Sequence, residues 1–164
     1  MGSGWRNGCP PGPADVYSAL FSFIHFAAVF GIVATLFFEW LTLSPAPTLQ
    51  EARRIQRCDA WYGILAAVLV AAGLMRVYFF EKGKDFYLIN PFFRLKIALF
   101  AIVGLLSIYP TVRFLAWRKQ TRIGQPPMVA ALEYSRLVLL LRLELLGLLL
   151  IAACATLMAR GIHF

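Results

Sequence analysis

The sequence predicts an all-α integral membrane protein, a four-helix bundle, on three observations. Of its 164 residues, 60% are hydrophobic and 15% are charged, a balance outside the usual range of soluble globular domains. Mean hydropathy is +0.72. Four runs, near 17–41, 60–80, 92–115 and 134–159, are mostly apolar over the roughly 20 residues that a helix needs to cross a bilayer. The connections hold most of the proline, glycine and arginine. The chain therefore reads as one four-span domain, 17–164, behind an irregular segment, 1–16.

Residues 1–16 are rich in glycine and proline, and Asp15 stands where it would cap the first helix. The first run is longer than a signal-peptide core and lacks an obvious small-residue cleavage site, so it reads as a retained helix. It ends at LSPAP, just beyond Glu39 and Trp40. QEARRIQRCDAWYG reads as a short interfacial helix leading into the second span, with Trp61 and Tyr62 at the headgroup level. That span closes near Arg76. The loop FEKGKDFYLINP turns at Gly83, and Pro91 is suited to open the third helix. Within SIYPTVRF, Pro110 removes a backbone donor and predicts a kink or an early helix end. GQPP breaks the chain before a fourth helix that starts around Glu133 to Arg136.

The net charge of +8 does not indicate a nucleic-acid partner, because the basic residues sit in the short connections between spans. Arg53, Arg54 and Arg57, with Arg113, Arg118, Lys119, Arg122 and Arg136, outweigh Arg6, Lys82, Lys84 and Arg160. The positive-inside rule then predicts a multi-pass protein of a bacterial inner membrane with both termini outside. Cys9, Cys58 and Cys154 fall at different predicted depths and form no CxxC pair, so neither a disulfide nor a thiolate metal site is expected. HExxH, P-loop and GxSxG motifs are absent from the sequence.

Ionisable groups within a bilayer are costly, and they point by default to a partner, a cavity or a cofactor. His25, Arg76, Lys96, Arg142 and Glu144 are deep enough to matter. Glu39 and Asp59, nearer the helix ends, are expected to pair with Arg53, Arg57 or Arg113. His25 and Glu39 share a face of the first helix to within roughly 40°, with Ala28, Ile32 and Thr35 along it and Gly31 beside it for close packing. Lys96, Phe100, Val103 and Ser107 make the corresponding stripe on the third helix, with Gly104 beside it. Arg142 and Glu144 stand roughly 200° apart and address different neighbours.

A neutral imidazole in an apolar bundle is a familiar axial ligand for haem iron, and arginine or lysine suits the propionates. That reading makes His25 the metal ligand and Lys96 a second ligand or anchor. The rival is an imidazole that hydrogen-bonds a carbonyl or Glu144.

HFAAVF, DAWYGILAAVLVAAGLMRVYFFEKG, NPFFRLKIALFAIVGLLSIYPTVRF and RLELLGLLLIAACATLMARG resemble a family of short four-helix bacterial membrane proteins. This resemblance implies the fold and brings no activity with it. More distantly, FSFIHFAAVF and RLKIALF resemble the settings of a first-helix histidine and a third-helix lysine in HemJ-type protoporphyrinogen oxidases. That resemblance implies haem b held at His25 and Lys96.

The sequence reading is thus a haem- or quinol-associated electron-transfer protein, an oxidoreductase if it is an enzyme. Arg76, Arg94 and Arg142 would bind cofactor, and Lys96 and Glu144 would act in catalysis, Glu144 as a proton relay. Two rivals stand beside it: an accessory subunit of a homo-oligomer or larger membrane complex, and a small transporter using the ionisable residues from Glu39 through Glu144 to Lys96.

Overall fold

A computed structural model describes residues 12–75 and 91–159, with side chains at 12, 16–75 and 94–157. Arg76, Cys9 and the loop before Pro91 lie outside the described residues. Helix α1 spans Pro13–Thr42, α2 Leu49–Met75, α3 Pro91–Ala116, α4 Arg118–Arg122 and α5 Ala131–Ala159. Four stretches, Val16–Thr42, Leu49–Met75, Arg94–Arg122 and Ala131–Leu157, are long and apolar enough to cross a membrane. The protein is an all-α four-helix bundle.

Local chemistry explains where the boundaries differ from the sequence reading. The backbone N–H of Val16 donates to the Gly12 carbonyl, so α1 begins a turn early and Asp15 falls inside it. The expected interfacial helix and the second span are one helix. A reciprocal capping box starts it: the Thr48 N–H donates to Glu51 Oε2 at 2.8 Å and the Glu51 N–H to Thr48 Oγ1 at 3.3 Å. The early end expected at Pro110 does not occur, since α3 continues through it to Ala116. Beyond α4, Gly124 adopts a φ of 78°. The Gln125 N–H reaches the Gln120 carbonyl and the Gly124 N–H the Thr121 carbonyl, a Schellman closure that needs a left-handed residue.

The ring order is α1, α2, α3, α5. The main seams join α1 to α2 and α3 to α5, and lesser ones join α1 to α5 and α2 to α3. Small residues set the main seams. Gly31 lies against Leu65, as its position predicts, and Gly147 lies against Val103. Gly104 faces open space instead. Phe23, Phe30, Leu105, Ile108 and Leu149 point outward, as helices bordered by lipid require. The core is densest at the end of the bundle that carries α4, where Leu36, Ile55, Phe114, Leu137 and Leu141 are fully buried. Phe114 and Trp117 stack there at 5.1 Å between ring centroids.

Candidate functional site

Three carboxylates lie in this dense end because they occupy inward positions of apolar stripes. On α1, Ala28, Ile32, Leu36 and Glu39 recur at helical spacing, and all are buried. On α5 the stripe is Leu137, Leu141 and Glu144; on α2 it is Ile55, Asp59 and Tyr62. Glu39 is 2% exposed, Glu144 1% and Asp59 8%. Each acid is carried inward by the face it belongs to.

The three stand close enough to act on one another. Glu39 lies within electrostatic range of Asp59 and Glu144, and Glu144 within range of Asp59. Tyr62 faces Glu144 and Ser107 and also acts on Glu39. Asp59 accepts a 2.7 Å hydrogen bond from Thr111 Oγ1, and Arg118 acts on it electrostatically. All four long helices therefore contribute to one polar centre. Oε1 of Glu39 and both side-chain oxygens of Glu144 are buried without a direct hydrogen-bond partner. The Tyr62 side chain faces Glu144 and is the polar neighbour nearest at hand to those oxygens' charge. Buried polar atoms are nearly always satisfied by protein or by water, so these oxygens mark where a proton or a bridging water would be held. Among the described residues, no three His, Cys, Asp or Glu side chains converge as a metal-ligand set. The acids are neighbours without forming a chelate.

The expected pairing of Glu39 and Asp59 with arginine is not what the bundle forms. Arg113 makes a bidentate ion pair with Glu133, with Nε to Oε1 at 2.8 Å. Arg53 donates to the Thr121 carbonyl at 3.0 Å. The signal available in the sequence was spacing: Glu39 continues the stripe of Ala28 and Ile32, and Asp59 sits between Ile55 and Tyr62 on one face.

The remaining expected site residues are dispersed. His25 is half-buried on the α1–α2 seam, edge-on to Phe26 at 6.0 Å between ring centroids and beside Gly73. Lys96 is half-buried on α3, diagonally across the ring from α1. Arg94 is exposed. Arg142 is exposed and lies over the Trp40 ring at 5.7 Å, level with the end of α1, so its guanidinium is shallower than its place in the fourth run implied. Arg142 and Glu144 do address different neighbours. Of the expected set, only Glu144 belongs to the carboxylate centre, and Arg76 lies outside the described residues.

No curated protein and no solved structure matches the chain. A family model described as a predicted membrane protein matches residues 17–163, which takes in α1, but for its first turn, and all the helices after it. The buried centre and the helices that build it are thus features of a chain that belongs to the DUF2214 family of predicted membrane proteins.

Proposed function

We propose that this membrane protein binds protons at Glu39, Asp59 and Glu144 and passes them along the seam that Tyr62, Ser107 and Thr111 complete. The observation that carries the reading is the pair of fully buried glutamates on α1 and α5, within electrostatic range of each other and of Asp59. Removing a carboxylate from water costs several kcal/mol, about the largest penalty a side chain meets. Groups kept at that cost within spanning helices mark proton relays and ion pathways. A carboxyl group accepts a proton on one oxygen and donates it onward, and a hydroxyl does both. Carboxyls and hydroxyls from four helices supply consecutive stations for that exchange. By the positive-inside excess, the end bearing Arg53, Arg113 and Arg118 would face the cytoplasm.

The test is proton flux into proteoliposomes under a potassium-diffusion potential, followed with an enclosed pH-sensitive dye. We expect wild-type flux above that of empty vesicles and a fall of at least about tenfold in Glu144→Gln, as when one positioned proton-transfer group is lost. Equal flux in wild type, variant and empty vesicles would sink the reading.

Haem b at His25 is a separate proposal. It rests on the resemblance of the His25 and Lys96 settings alone, and no step here depends on it. A Soret band that disappears in His25→Ala is the result that would carry it.

A further inference from the structure

The arginines at the same end of the bundle are organised beyond what topology requires. An open groove of about 280 Å³ lies between the first turns of α2 and helix α4, lined by Arg53, Gln56, Arg118, Thr121 and Arg122. Its walls are tied together. Arg53 Nη2 donates to the Thr121 carbonyl at 3.0 Å, Gln56 Nε2 to the Phe114 carbonyl at 3.1 Å, and Thr121 Oγ1 to Gln56 Oε1 at 3.2 Å. Thr121 is buried, so the link between α2 and α4 is part of the packed interior. The Schellman closure at Gly124 fixes the far end of α4.

Three guanidinium groups border this groove, and the nearby carboxylates are committed elsewhere. Glu51 closes the capping box of α2, Glu133 is held by Arg113, and Asp59 is buried against Thr111. Arg118 acts on Asp59 from a distance, and its side chain, like those of Arg53 and Arg122, is exposed. Arg53 spends one donor on Thr121 and keeps the rest of its fork. Converging guanidinium forks match the tetrahedral oxygens of phosphate, to which they bond bidentately. Basic pockets between helices at a membrane surface take anionic headgroups by the same chemistry.

We propose that the groove of Arg53, Gln56, Arg118, Thr121 and Arg122 is a binding site for a phosphate group, carried either by an anionic phospholipid headgroup or by a soluble phosphate. The site does not depend on the proton reading.

Full-length protein, delipidated in mild detergent, is titrated by native mass spectrometry with phosphatidylglycerol, with phosphatidylcholine and, in competition, with inorganic phosphate. The test variant is Arg118→Gln/Arg122→Gln, which removes two exposed charges and leaves the wall hydrogen bonds in place. Arg54→Gln is the control, an exposed arginine of α2 outside the groove. Loss of two charge-assisted contacts should weaken phosphatidylglycerol binding by about tenfold or more, with Arg54→Gln near wild type. Competition by inorganic phosphate would assign the site to a soluble phosphate. Binding without competition would assign it to a headgroup. Wild-type affinity in the double variant, or an equal loss in Arg54→Gln, would overturn the proposal, because the arginines would then act only as bulk charge.

Discussion

Glu144 is the residue where stability and the proposed role pull apart. Its side chain is 1% exposed, and burying a carboxyl group without a bonded ionic partner costs stability that an apolar group of similar volume does not lose. Glu144→Leu is therefore expected to unfold in detergent at the wild-type temperature or above it while abolishing proton flux. A large drop in thermal stability would instead make Glu144 a structural partner of Tyr62. Other residues differ in how far the sequence exposed them. The opposed directions of Arg142 and Glu144 were legible from helix rotation. Spacing put Glu39 on the buried stripe of Ala28 and Ile32, but its burial so near a helix end also needs α5 and α2 to close over the end of α1, which spacing alone does not fix.

At the scale of elements, the spans were readable because length and hydropathy are local properties, whereas the seams depend on which small residue meets which neighbour. Gly31 and Gly147 make opposite predictions. A Cβ at Gly31 would meet the tip of Leu65, which can rotate away, whereas a Cβ at Gly147 would meet Val103 close to its own Cβ. Valine is stiff at χ1. Gly31→Ala should be tolerated, and Gly147→Ala should destabilise the α3–α5 seam by about 1–3 kcal/mol, the usual cost of overpacking. Paired thermal unfolding of the two variants checks this; equal melting temperatures would mean that the seam has room to adjust. The capping box at Thr48 and Glu51 shows a different limit. Its four-residue pattern lay in TLQE, yet the charged turns that followed favoured an interfacial reading over a single continuous helix.

On the scale of the whole molecule, the polar groups that pack together among the described residues lie at one end. The carboxylate centre lies inside the densest part of the core, and the arginine groove lies next to it across α2 and α4, with Arg118 acting on Asp59 between them. The sequence reading looked to the other end, where His25 and Lys96 stand, because single polar residues in apolar runs are conspicuous. The acids near the helix ends resembled ordinary boundary charges, and only tertiary packing separates a boundary charge from a buried one.

Proton exchange at Glu39, Asp59 and Glu144 changes the carboxyl groups themselves. The most direct measurement is pH-difference infrared spectroscopy of the protein in lipid, read at the carbonyl stretch of protonated carboxyl groups. Bands that titrate in wild type should be lost or displaced in Glu39→Gln, Asp59→Asn and Glu144→Gln. Difference spectra identical across wild type and all three variants would contradict it.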